Sequence, residues 1–326
     1  MALLKTTDDI QKYVNVASDL TFDGVLPDIN EVEENIIVKH IGSAFYVEIE
    51  AAYQATPTTP QQLVIDRLQE CVSNLAIAQY IDTGQIDISN SGLANLSKEK
   101  AAFKYQVTEA KNEMLRKGWL ALENLLTFLE VTKDTYPTWR DSEEYTVNKE
   151  LIINSADVFE KYYAIGRSRL LYQQLRYIMK QVEDFELEAV IGSDLLDELK
   201  AEILAAGVSG DNQVLLDKFI YAGVANLTIV RALGDMVVKL DSNGAVMHQK
   251  LAAAGSGEED VAAELERVAA KRFNVQRTGY QYFDKLRNYL NANASASKYA
   301  AFFDSELYVA PVVDDDEEYE SNVYVG

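Results

Sequence analysis

Two histidines, His40 and His248, and one cysteine, Cys71, are the side chains in these 326 residues that could supply imidazole or thiolate chemistry. Neither histidine has a Glu, His or Cys at metal-ligand spacing, and His-Glu-x-x-His, Glu-x-x-His and paired-Cys patterns are absent. A zinc or di-iron centre is therefore not expected. Cys71 falls in the apolar pattern of a helix, where a buried, inert thiol is expected. A lone cysteine forms no intramolecular disulfide, which points to a reducing compartment. Gly255-Ser256-Gly257 runs into Glu258-Glu259-Asp260 without the preceding strand or trailing glycine of a dinucleotide loop. Phosphate-binding Gly-x-x-x-x-Gly-Lys-Ser/Thr and nucleophile-elbow Gly-x-Ser-x-Gly runs are missing too. Carboxylates abound, so a helical enzyme with an acid/base pair is conceivable, but no spacing singles a pair out. The expectation is no catalytic, cofactor-binding or metal-binding residue, and no enzyme.

Charge narrows the partners. The 52 acidic residues outnumber 30 basic ones for a net charge of −22, and the basic residues form no stripe that could neutralise phosphates. Sequence-specific nucleic-acid binding is not expected. An acidic face could instead repel passing DNA or meet a basic protein surface. The start, Met1-Ala2-Leu3-Leu4-Lys5-Thr6-Thr7-Asp8-Asp9, lacks a signal-peptide apolar core, and no uninterrupted apolar run reaches membrane-spanning length. We expect no membrane association.

The chain repeats itself. Asp141, Ser142, Glu143 and Tyr145 recur as Asp304, Ser305, Glu306 and Tyr308; Ile41-Gly42-Ser43 recurs as Ile191-Gly192-Ser193; and 72–93 lies without a gap on 224–245. Gly118-Trp119 answers to Gly279-Tyr280. The offset between copies grows from 148 at Leu3/Leu151 through 150 at Gly42/Gly192 to 163 at Tyr145/Tyr308. The largest step coincides with the small-residue stretch 252–260, which reads as a tolerated insertion. Collinear order of this kind indicates tandem duplication of one domain-sized unit.

Each copy then predicts the same elements. Thr7 and Ser155 cap short helices. A second helix runs over 28–53, with Ile29, Val32, Ile36, Phe45 and Ile49 on one stripe, and over 169–204, broken near Ile191-Gly192-Ser193. A third covers 61–82 and 212–235. Short alternating segments, 85–88 and 237–240, predict a hairpin or arm with a turn at Gly92 or Gly244. The longest helix covers 97–131 and 258–290, and the mid-helix Gly118/Gly279 implies close packing of another backbone. The Asp-Ser-Glu-x-Tyr signature reads as a helix cap with an anchoring tyrosine. The fold class is thus mostly α: two tandem helical-bundle modules, 1–147 and 148–310, with short β arms and an extended acidic C-terminal arm or tail, 311–326. The valines and tyrosines of that tail suit an arm that orders on a neighbour by strand addition.

The short capped helix Thr6-Thr7-Asp8-Asp9-Ile10, the kinked helix with Ile-Gly-Ser and the third apolar helix resemble the layout of head–tail connector, or adaptor, proteins of tailed phages. The chain also resembles uncharacterised proteins of phages and prophages of gut Bacteroidetes. Connectors are usually single modules, so the duplication departs from them. The resemblance implies a structural virion protein without catalytic residues, assembled in the bacterial host cytoplasm. It would form a homo-oligomeric ring at the neck, gripping the portal protein and offering a platform to tail or stopper proteins. The alternative reading is a cytoplasmic helical scaffold or regulatory module that binds another protein.

Overall fold

The computed structural model describes residues 3–17, 20–84, 86–89, 92–95, 104–235, 238–239, 246–247 and 258–311. His248, most of the 252–260 insertion, the 97–103 start of the longest helix, the Gly244 turn and the tail beyond Pro311 lie outside them. Two helical modules follow one another along the chain, each around its own apolar core. One core draws on residues from Leu3 to Trp139 and on Leu170, the other on residues from Leu151 to Phe302.

Each module opens with a short capped helix, Thr7–Gln11 and Ala156–Tyr162. Thr6, not Thr7, is the first cap. Its hydroxyl accepts from the Asp9 N–H while Asp9 reaches back to the Thr6 N–H, a reciprocal box that a single-residue reading placed one position late. Ser155 caps the second helix by accepting from the Val158 N–H.

The next helix is bent in both copies. Phe22–Val32 passes through a π-turn, Glu33–Ile37, into Val38–Ile41; Arg169–Val182 passes through Glu183–Leu187 into Glu188–Ile191. A π-turn adds one residue to the winding, so the fully buried stripe runs through Ile29, Val32, Ile37 and Ile41, with the expected Ile36 partly buried against the same core. The chain then breaks in both copies, at Gly42 and Gly192, whose φ values of 85° and 81° favour glycine. The continuous 28–53 helix expected in copy one is therefore two helices, with Ser43–Gln54 following the break as Ser193–Leu204 does in copy two.

A core helix follows, Thr59–Thr83 in module one, and Gly210–Leu215, a π-turn Leu216–Ile220 and Tyr221–Asp235 in module two. Although interrupted by Asp211, Asp217, Lys218 and Arg231, Gly210–Leu233 is long and apolar enough by length and composition to cross a membrane. Since 67% of that window is buried inside the protein, its apolarity is that of a core helix. The expected arms are two-stranded antiparallel hairpins, Ile86–Ser89 with Gly92–Asn95 and Val238–Lys239 with Val246–Met247. Gly92 is thus in a strand, paired with Ser89, rather than in the turn.

The long helices, Lys104–Val131 and Glu258–Asn293, lie along the core helices. Their glycines explain how closely. A Cβ on Gly118 would stand 2.5 Å from the Leu75 side chain and 3.2 Å from its backbone nitrogen; one on Gly279 would stand 2.7 Å and 3.4 Å from the same atom classes of Leu227, the repeat mate of Leu75. A mid-helix glycine costs about 1 kcal/mol relative to alanine, and this approach is what it permits.

The Asp-Ser-Glu-x-Tyr signature closes the two modules differently. Ser142 stands at the N-cap of Glu143–Thr146 without a side-chain cap bond, whereas Ser305 accepts from the Leu307 N–H at 3.2 Å. Both also donate backward, each at 2.7 Å, to the carbonyl oxygens of Trp139 and Phe302. The tyrosines do anchor: Tyr145 packs on Trp139 at 4.5 Å between centroids, and Tyr308 on Phe303 at 4.7 Å.

Candidate functional site: the junction between the modules

The bent helix of module two begins against the long helix of module one, and a carboxylate closes the contact. Glu123 accepts from the Ser168 hydroxyl at 2.8 Å and from the N–H groups of Arg169 and Leu170 at 2.6 and 3.1 Å. Ser168 itself accepts from the Leu171 N–H. The first turn of a helix leaves its N–H groups without intrahelical acceptors and carries partial positive charge, so an anion from the neighbouring module completes the helix. In module one the bent helix starts at Thr21, which makes no side-chain cap bond.

Arg169 anchors the same corner. Its guanidinium lies 2.7 Å from Glu130 of module one and 2.9 Å from Asp157 of module two, and donates to the Arg167 carbonyl. Burial works against its charge, but Glu130, Asp157 and Glu123 outweigh it and raise its pKa. The next residue, Leu170, is buried in the core of module one although it belongs to the helix of module two. One turn on, Gln173 Oε1 lies 2.6 Å from His40 Nδ1. An amide oxygen accepts, so that nitrogen carries the proton. Burial holds the His40 pKa below its usual value, aided by Arg176 and Lys39, and the ring is a neutral structural donor. Arg176 donates to the Glu144 carbonyl at 2.8 Å and to Asn148 Oδ1 at 3.1 Å. These groups enclose a cavity of about 20 Å³ between His40, Trp139, Tyr145, Tyr172 and Gln173, room for about one water molecule.

His248 lies outside the described residues, and Cys71 is buried, which pushes its thiol up, away from the thiolate form. Among the described residues no group of three or more His, Cys, Asp or Glu side chains is placed to hold a metal ion.

What reading the sequence missed is a pair of buried glutamates on the π-turns. Glu33 Oε1 accepts from the Leu3 N–H and Glu183 Oε1 from the Ile152 N–H, each at 2.8 Å. These matched bonds make Ile152, not Leu151, the mate of Leu3, so the offset at the start of the repeat is 149. Lys200, on the helix after the break, places Nζ 2.8 Å from Glu183 Oε2. At the matching position module one carries Glu50, itself buried. Glu33 Oε2 and the hydroxyl of buried Tyr46 have no hydrogen-bond partner. The Glu33 pKa is pushed up to about 7 by burial, with Glu50 adding repulsion; the Leu3 N–H, Tyr46 and the chain's α-amino charge oppose the shift. Burial raises Glu183 as well, with Lys200 and the Ile152 N–H pulling it back. The signal was present in the sequence: an identical acid at a fixed offset inside an otherwise apolar stripe.

Residues 37–149 and 187–312 each match a family of unknown function, DUF6712. Together the two matches span well over half of the chain, which belongs to that family. Their starts differ by 150 and their ends by 163, the same offsets that relate Gly42 to Gly192 and Tyr145 to Tyr308. No curated protein and no solved structure matches the chain.

Proposed function

We propose that this member of DUF6712 is a structural subunit of a homo-oligomeric assembly, and that the assembly is the head-to-tail connector ring of a tailed phage. The observation that carries the reading is the junction. Two like modules meet through unlike surfaces, the start of one bent helix on the flank of the other's long helix. Contacts between unlike surfaces are the kind that continue from copy to copy and close into rings. Polar groups of the junction are engaged in that contact: His40 with Gln173, Glu123 with a helix start, Arg169 with Glu130. The connector reading adds the resemblance in layout to adaptor proteins and the acidic balance, which suits a surface past which DNA slides. In this reading the ring sits in the virion, bound to the portal protein on one side and to tail or stopper proteins on the other. It carries no catalytic residue.

Light scattering and negative-stain imaging of the purified chain, with and without a portal protein encoded beside it, test this. Rings, or a portal complex of defined mass, are expected. A species that stays monomeric at high concentration and ignores the portal overturns the proposal.

A further inference from the structure

We infer that Glu33 holds a proton in the folded core of module one, where module two meets the matching acid with the Lys200 ammonium. Three observations on this chain's own residues carry the inference, which is independent of the ring proposal.

The first is equivalence. Glu33 and Glu183 sit at the start of matching π-turns and fix matching backbone N–H groups at the same distance. Glu50 and Lys200 sit at matching positions on the helices that follow Gly42 and Gly192. Module two meets its buried acid with a cation at 2.8 Å; module one meets it with a second acid.

The second is burial. Glu33 is 3% exposed, and the likewise buried Glu50 adds repulsion; ionising a carboxylate away from water carries a large cost. A proton on Glu33 removes that charge and turns the acid into a donor. The third is the unpaired geometry. Glu33 Oε2 lies buried without a close partner, where the matching Glu183 Oε2 has Lys200 Nζ at 2.8 Å, and Glu50 Oε1 accepts from Gln54 at 3.4 Å. A proton on Glu33 lets it donate toward the oxygen of Tyr46, the side chain that acts on it in this core. The groups acting on Glu33 are Tyr46 and Glu50 from the following helix and, from the chain start, the Leu3 N–H and the α-amino charge. The core helix contributes neutral Gln69, which donates to the Leu3 carbonyl.

The direction of the pH effect follows. The folded value of Glu33, about 7, lies above its ordinary 4.5, so the folded state holds a proton that the unfolded chain releases. The stabilisation is complete below about pH 4.5. It is lost as pH rises through about 7, at up to about tenfold in the folding equilibrium per pH unit, with no further loss above.

The test compares the full chain with Glu50→Lys, which gives module one the arrangement of module two, and with Glu33→Gln, which mimics the protonated acid. Thermal unfolding is followed between about pH 4 and about pH 9, and the infrared carbonyl stretch of a protonated carboxylic acid is recorded near pH 6. We expect the native chain to lose stability between about pH 4.5 and about pH 7 and to show the protonated-acid band. Both substitutions should flatten the loss and remove the band. If Glu50→Lys fails to fold, Glu33→Gln alone decides. Absence of the band in the native chain overturns the inference, as does an unchanged pH slope in the variants. A stability that follows the identity of the alkali cation rather than pH would assign the position to a metal ion and overturn it equally.

Discussion

In module two Lys200 reaches across to Glu183, and the acid and base neutralise each other inside the core; in module one the same helix position carries a second buried acid, Glu50. The surrounding scaffold is shared: a π-turn, a glycine break, a helix leaving from it, and a backbone N–H held by the acid. The glutamate is therefore tied to the path of the chain start, a role it plays in both copies. The group facing it is free to vary, provided the charge is met by something. One module meets it with an ammonium, and the other, in our inference, with a proton.

The largest expected effect comes from removing that difference in module two. Lys200→Met leaves Glu183 buried without its counter-charge and should cost about 3–5 kcal/mol at neutral pH. Without Lys200 the Glu183 pKa moves further up, so the loss should shrink as pH falls below that raised value and the acid protonates. Chemical denaturation at about pH 5 and about pH 8 reads the two regimes; equal losses at both would show that the carboxylate is not what the lysine serves. Next is Leu170→Ala, which should cost about 2–4 kcal/mol. Hydrogen exchange should report that loss in module one, around Leu122 and Leu126, as well as in the helix that carries the leucine. A loss confined to module two would break the picture of a shared core. The smallest effect is expected for Glu123→Gln. The single amide oxygen can take the place of only one of the two carboxylate oxygens, leaving its NH2 against the other donor, and it brings no charge to the helix start or to Arg169. The loss should be about 1–2 kcal/mol, and added salt should reduce its electrostatic part. A loss that salt does not change would show that the charge of Glu123 does not serve the junction.

The duplication was legible because glycines, aromatics and the Asp-Ser-Glu-x-Tyr signature recur in order, and each of these residues has a backbone or packing reason to be kept. Gly118 and Gly279 announced a close approach that Leu75 and Leu227 then make. The π-turns were not legible. One inserted residue shifts an apolar stripe by about 100°, and the neighbouring isoleucines Ile36 and Ile37 satisfied either register. The junction was hidden for a different reason. Glu123, Arg169 and Gln173 look like the polar face of any amphipathic helix, and only the docking of one helix start on another helix flank turns them into caps and anchors. Glu50 and Lys200 read alike as solvated charges, so neither the ion pair nor its replacement could be seen before the helices were placed.

Leu170, a side chain from one repeat, completes the core of the other, so the boundary in the sequence is not the boundary in the packing. A lone first unit, ending where the repeat ends, would carry a hole where that leucine sits. Cutting the chain between the repeats would therefore take a core residue away from the module that precedes the cut.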